Sequence, residues 1–239
     1  MLFRSRDWLN ECTTCTGPVL IADARDLIFQ RNPFDIYAPK VKGLQLYQEH
    51  VNMTTKNWLA EWPIRECKGV TYDEPMLCSG TTIGTRETML EYLTLMYDEM
   101  KIWINDPKCR FNINGDDQSI HNYLYYSGKF PKETTVSVPN RMGGIVNTIG
   151  YHAGVIFKDL SRSWTSNTTD DEKLYPGASR TKTTGKTSTW IGRTEFGLTN
   201  DDGFLVELDG ITISRVVHQW DRFGTPYIRW LKQQPWVRF

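Results

Sequence analysis

The sequence predicts an α/β protein with a mixed central sheet flanked by helices, and three observations carry that prediction. Val19-Leu20-Ile21-Ala22 is an aliphatic run boxed by Gly17-Pro18 and a charged cluster, which reads as a buried strand. Met89, Leu90, Leu93, Met96, Tyr97 and Met100 follow Thr85 at three- and four-residue steps, the pattern of a long amphipathic helix behind a good N-cap. Gly43–Tyr47 and Gly203–Ile213 alternate apolar and polar residues instead, as half-buried strands do. Helical and strand patterns interleaved in this way suit layered α/β packing, and 239 residues can bury a full core as one large domain or as two small ones.

The elements follow in order. Leu2, Phe3, Trp8 and Leu9 stand at roughly helical spacing, so residues 2–11 predict a short helix leading into the first strand. Leu27 to Phe34 is apolar until Asn32-Pro33 stops it. Trp58, Leu59, Trp62 and Ile64 predict a short helix over 55–66, which Pro63 should interrupt. Pro75–Gly84 reads as a strand, or two half-strands, feeding the long helix. A further helix starts near Asp116-Asp117-Gln118, with Ile120, Tyr123 and Leu124 on its apolar side and Gly128 at its C-cap. Ile145-Val146 and Val155–Phe157 are further strand candidates. Residues 158–200 are rich in Ser, Thr, Gly, Lys and Asp, which suits a long loop or lid. Asp209-Gly210 between alternating apolar runs predicts a hairpin delivering Val216–Arg222. An aromatic tail through Trp230, Trp236 and Phe239 closes the chain as a packed helix or strap.

Composition excludes several functions. Lys+Arg and Asp+Glu are both 28, so the zero net charge disfavours a general nucleic-acid or polybasic membrane surface. The aromatic load of 13% is mostly core, with sugar-binding faces as a secondary use. Cys12, Cys15, Cys67, Cys78 and Cys109 are too few and scattered for a disulfide framework. Cys12 and Cys15 have zinc-ligand spacing without a second Cys/His pair, so plain thiols are expected. No apolar run approaches the ~18 residues of a membrane span, and no hydrophobic region follows the charged start. The chain as given is therefore expected to be soluble and cytoplasmic, or lumenal if it is an N-terminally truncated piece. The sequons Asn52-Met53-Thr54 and Asn167-Thr168-Thr169 matter only in a secretory lumen. Gly185-Lys186-Thr187 is not a P-loop, because Arg180 occupies the first glycine position and no apolar strand precedes it. Arg180, Lys182 and Lys186 suit a solvated loop, or one that closes over a diphosphate.

Asp23 and Asp26, with Arg25 between them, stand at the end of the first strand, where ligands bind in open α/β sheets. Grouped carboxylates suit a hard divalent cation, which commonly brings substrate phosphates with it. The same residues also suit a strand-end turn paired with Arg25. Asp116 and Asp117 at a helix start can be ordinary caps, or one can face a site. His218 offers a neutral nitrogen to a metal, or a partner to Asp221.

The stretch Val19 to Phe34 resembles the hydrophobic strand, acidic motif and phenylalanine-bearing turn of nucleotide-sugar glycosyltransferases with the GT-A fold. Cys78-Ser79-Gly80-Thr81-Thr82-Ile83-Gly84 resembles the strand beneath donor and acceptor in that family. Gly115-Asp116-Asp117-Gln118-Ser119-Ile120-His121-Asn122 resembles its acidic helix start, and Val217-His218-Gln219-Trp220-Asp221 its late histidine. The resemblance covers roughly residues 15–130 and 204–223. It implies a single catalytic domain over 1–239 that moves a sugar from a nucleoside-diphosphate donor to a hydroxyl on a glycan or glycoprotein. Mn²⁺ or Mg²⁺ would be held by Asp23, Asp26 and His218, and the donor by Asp23, Arg25, Ser79, Gly80 and Gln118. Asp117, with Asp116 beside it, would act on the acceptor hydroxyl as general base. Two departures stand out. The family motif is commonly Asp-x-Asp, whereas Arg25 fills its third position here. The family also carries two βα units, each of roughly 30 residues, ahead of the acidic motif, and this chain begins about twenty residues before it. A catalytically inactive carbohydrate-binding member of the fold and a metal-dependent phosphoesterase are the alternatives.

Overall fold

The computed structural model describes residues 2–50, 53–109, 116–150, 200, 202 and 204–220. Along the chain the elements are α1 (Leu2–Glu11), β1 (Val19–Ala22), β2 (Leu27–Phe29), β3 (Leu44–Gln48), α2 (Trp58–Lys68), β4 (Leu77–Gly84), α3 (Arg86–Asn105), α4 (Asp116–Tyr126), β5 (Thr135–Val138), β6 (Val146–Thr148) and β7 (Val216–His218). This is the expected α/β class with mixed sheets. The chain forms two compact units, one from Met1–Asp23 with Lys40–Asn140, the other from Ala24–Pro39 with Arg141–Phe239.

The first unit is built on a four-stranded sheet in the order β1-β4-β3-β5. β4 runs antiparallel to both neighbours, and β3 and β5 are parallel. Central position explains why β4 is buried along nearly its whole length, whereas the edge strand β1 is only half-buried. The expectation of a buried first strand is corrected accordingly. Thr85 caps α3 by accepting the Thr88 N–H, and Met89, Tyr92, Leu93, Met96 and Trp103 bury its inner face. They meet Leu44, Leu46, Leu77, Ile120, Leu124 and Phe130 in one core. α4 ends in a Schellman motif: Lys129 N–H reaches Leu124 O, Gly128 N–H reaches Tyr125 O, and Gly128 takes φ 72°.

Two expectations for this unit fail. Pro63 lies inside a continuous α2 rather than interrupting it. Pro63 itself is buried, beside Ile64, so tertiary burial outweighs the missing donor and the clash with the preceding turn. Cysteines expected as plain thiols form two disulfides, Cys12–Cys15 and Cys67–Cys109, with Cα separations of 5.5 and 4.7 Å. Cys78, buried in β4, remains a thiol. The second bridge ties the end of α2 to the segment after α3, a pairing that spacing cannot reveal. Behind it, Glu99 accepts from Trp103 Nε1 at 2.8 Å and pairs with Lys68.

The second unit has a three-stranded sheet, β2-β7-β6, antiparallel then parallel. The predicted hairpin is present, with Val206 bridging Ile213. Its turn is wider than a two-residue Asp-Gly turn: Glu207 N–H reaches Thr212 O, and Gly210 alone takes a positive φ of 71°. Asp209 holds the tip by accepting from Ile211 and Thr212 N–H groups and the Thr212 hydroxyl. Gln30 fastens both arms, donating to Leu205 O and Ser214 O and accepting the Leu205 N–H. Arg141 donates to Val206 O and Glu207 O, while Asn147 donates to Glu207 Oε1 and Ser214 Oγ at 2.7 Å each. Burial pulls the Arg141 pKa down to about 10 and pushes the Glu207 carboxyl above its usual range. The predicted strand at 155–157, the long loop and the aromatic tail lie outside the described residues.

Candidate metal centre

The pairing of β2 with β7 sets Leu27 opposite His218. Asp26 directly precedes Leu27, so the register carries its carboxylate to the imidazole, with Oδ1 3.4 Å from Nε2. Both residues are buried, at 8% and 1% exposure. On the other side β6 pairs Thr148 with His218, and the Thr148 hydroxyl lies 3.5 Å from Nδ1. One ring nitrogen thus faces a hydroxyl and the other a carboxylate, the arrangement by which an imidazole is oriented as a ligand.

The backbone after His218 is unusual. Gln219 has φ 62°, a left-handed conformation disfavoured for a residue with a Cβ. Its N–H donates to Asp26 O at 2.9 Å, and Ile149 N–H donates to His218 O at 3.0 Å. Gly150 makes room for it, since a Cβ there would stand 2.1 Å from Gln219 Oε1 and 2.8 Å from Gln219 Cβ. Strain held by surrounding bonds is a recurrent feature of functional sites.

Asp23 ends β1, and its N–H donates to Gly80 O at 2.9 Å. Only Ala24 and Arg25 separate it from Asp26, so covalent continuity holds the two carboxylates close. Asp23, Asp26 and His218 each offer one ligand atom, all within 4.8 Å of one another. Two carboxylate oxygens and an imidazole nitrogen fit Mn²⁺ or Mg²⁺, whose octahedral shells leave three further positions for water or substrate oxygens. Asp23 is exposed while the other two are buried. Arg25 is exposed. Among the described residues this is the one group of three such ligands.

A second cluster lies within the first unit. Ser79 Oγ donates to Asp117 Oδ2 at 3.4 Å, and Asp117 Oδ1 accepts the Gln118 N–H. Asp117 is exposed and Gln118 half-buried. Asp116 opens α4, and its side chain lies outside the described residues, as do Gly115 and Asp221. Asn122, one turn beyond Gln118, accepts the Leu77 N–H at 2.8 Å and donates to Leu77 O at 2.9 Å and Gln118 O at 2.8 Å. β1 pairs with β4 only from Thr81 to Gly84, and at Leu77 the Asn122 amide takes the bonds that a strand would take. This clamp fixes α4 along β4 and so brings Asp117 to Ser79. His121, fully buried, meets the Tyr92 hydroxyl at 2.9 Å through Nδ1, and burial pushes its pKa down to about 3.

Asp23, Asp26 and His218 therefore come together as one group, and Ser79, Asp117 and Gln118 as another. Comparisons with protein-family models, with curated proteins and with solved structures return no match. The sequence assigned no role to three residues of these clusters: Thr148, and also Gln219 and Asn122, which stood inside quoted motifs. Thr148 sits in a three-residue strand too short to show a pattern. Gln219 adjoins a singled-out histidine, but nothing local signals its backbone. Asn122 is a polar residue one position after His121 inside an apolar helix face, a signal that was there to read.

Proposed function

We propose that the protein is a divalent-metal-dependent glycosyltransferase of GT-A-like fold, taking a nucleoside-diphosphate sugar and delivering the sugar to a hydroxyl acceptor. The observation that carries this reading is the convergence of Asp23, Asp26 and His218. A bound Mn²⁺ or Mg²⁺ would neutralise charge on the leaving diphosphate. In this reading Asp26 and His218 form a rigid, buried base for the ion, and exposed Asp23 completes its shell on the side where a donor arrives. Arg25 is an exposed cation available to phosphate oxygens. Asp117 accepts the proton of the acceptor hydroxyl, with Ser79 and the Gln118 N–H holding its carboxylate. Gly80 lets backbone approach the sugar closely. Two-metal hydrolases need more ligands than the three-residue group among the described residues supplies, which disfavours the phosphoesterase alternative.

Calorimetric titration with UDP and GDP, with and without Mn²⁺, tests the reading. Metal-dependent binding should weaken by at least about 10- to 100-fold in Asp26→Asn and His218→Gln, since losing a ligand costs no less than losing the partner that orients one. Sugar-nucleotide turnover that needs both Mn²⁺ and Asp117 separates a transferase from an inactive binder. Binding of neither nucleotide, in any metal, ends the proposal.

A further inference from the structure

The second unit carries a cavity of about 400 Å³ whose lining includes Arg31, Tyr37, Gly143, Gly144, Ile211 and Arg215. None of its residues belongs to the metal cluster. Arg215 directly precedes β7 and His218 ends it, so at a rise of about 3.3 Å per residue the two lie roughly 10 Å apart along the strand.

The cavity is preorganised on one wall. Arg215 is buried, and one guanidinium nitrogen donates to both Asn32 O and Asp35 Oδ2 at 2.7 Å. Asn32 Oδ1 accepts the Phe34 N–H and Asp35 Oδ1 the Tyr37 N–H, so two successive Asx turns shape the loop. That rigid loop holds Tyr37 81% exposed, while the hairpin tip holds Ile211 79% exposed. A soluble surface has little reason to fix an aromatic ring and a branched aliphatic around one cavity, unless something packs there.

Charge narrows the choice of occupant. Among the described residues, the lining contains two guanidiniums and no carboxylate. Arg215 is matched by Asp35, and Asp209 behind the hairpin tip is committed to three local donors. Arg31 is exposed, and among the described residues no carboxylate pairs with it. A planar fork of donors beside an aromatic face suits a ligand with a ring that stacks and a carboxylate that takes the fork. An acidic peptide would satisfy the fork alone and leave the Tyr37 face unused.

We propose that this cavity is a second ligand site, separate from the metal centre, that anchors a uronate-bearing oligosaccharide through Tyr37 and Arg31. Tyr37 stacks on a sugar ring, Ile211 covers its apolar edge, and Arg31 takes the carboxylate. The Gly143-Gly144 backbone leaves space for the chain, as no atom lies within 4 Å of a Cβ built on Gly143.

The test is titration of the full chain with trigalacturonate, its methyl ester and a triglutamate peptide. Trigalacturonate should bind with a Kd of about 1 mM or tighter, and the ester about tenfold more weakly. Arg31→Gln should abolish that difference, and Tyr37→Ala should weaken both sugars, while Mn²⁺-dependent nucleotide binding stays at its wild-type value in each. Equal binding of acid and ester, equal binding of triglutamate, or no saturable binding would each overturn the proposal. Because both residues lie outside the metal cluster, failure here leaves the transferase reading standing, and loss of nucleotide binding leaves this one standing.

Discussion

Asn122→Ala is the most informative single change in the first unit. The side chain is fully buried and closes three hydrogen bonds of 2.8–2.9 Å to backbone groups of Leu77 and Gln118. Truncation leaves the Leu77 N–H and C=O without that partner beside Leu77's own buried side chain. Each buried polar group left unsatisfied costs roughly 1–3 kcal/mol, so two of them predict a loss of about 2–6 kcal/mol. Water entering the space left by the amide moves the result toward the lower end. At 2–4 °C per kcal/mol for a chain of this size, the melting point should fall by roughly 4–24 °C. Urea unfolding should show a lower midpoint with an unchanged slope, which assigns the loss to stability rather than to the unfolded chain. Asn122→Asp keeps an acceptor for the Leu77 N–H but sets a carboxylate against two carbonyls, so it should be no better tolerated than alanine. A loss under about 0.5 kcal/mol in Asn122→Ala would refute the clamp, since that is the range of surface substitutions.

Three other outcomes follow from the same coordinates. Gly150→Ala forces a Cβ to 2.8 Å from Gln219 Cβ and should destabilise by about 1–3 kcal/mol, read by thermal melting. Buried His121 has its pKa lowered from 6.5 to about 3, so between those values the unfolded chain binds the proton that the folded chain refuses. Stability should therefore fall as pH drops through that window, by about 2 kcal/mol from this group at pH 5, and His121→Gln should remove that part of the slope. Mass spectrometry under non-reducing conditions should find two disulfides and one thiol. Removing the Cys67–Cys109 bridge, with a sequence separation of 42, should cost about 4 kcal/mol, against about 2 kcal/mol for Cys12–Cys15 with a separation of 3.

What the sequence disclosed was governed by how local the cause was. α3 was legible because its cap, its apolar steps and its core face all lie within one segment. α1 and β4 were legible because their residue patterns are local too. Pro63 misled because a local propensity was weighed without knowing that the helix would be buried around it. The Cys67–Cys109 bridge was hidden because it depends on where α2 and α3 end in space. The hairpin at Asp209-Gly210 was foreseen, but its wider turn depends on Asp209 bonding to Thr212, and composition does not fix that choice. His218 was singled out by motif, yet its closeness to Asp26 is a consequence of the β2–β7 register.

The three-residue spacing from Asp23 to Asp26 can then be understood from backbone bonds. An Asp-x-Asp motif in an extended strand points both side chains to one face, because side chains repeat every second residue. Adding Arg25 to the interval would turn the second carboxylate away if the strand simply continued. It does not continue: β1 stops at Ala22, and the chain bends through Asp23–Asp26 before β2 begins at Leu27. Each end of that bend is tied by a backbone hydrogen bond of 2.9 Å, Asp23 N–H to Gly80 O and Gln219 N–H to Asp26 O. The bend restores what the longer spacing would have lost, and Gln219 accepts a left-handed backbone as part of it. On this account the candidate ligand set is held by main chain as much as by side chains. Gln219→Ala should then disturb the Asp26–His218 pair far less than Gln219→Pro, which has no N–H to donate and cannot adopt a positive φ. Equal Mn²⁺ affinity in both variants would show that the tie at Asp26 does not set the geometry.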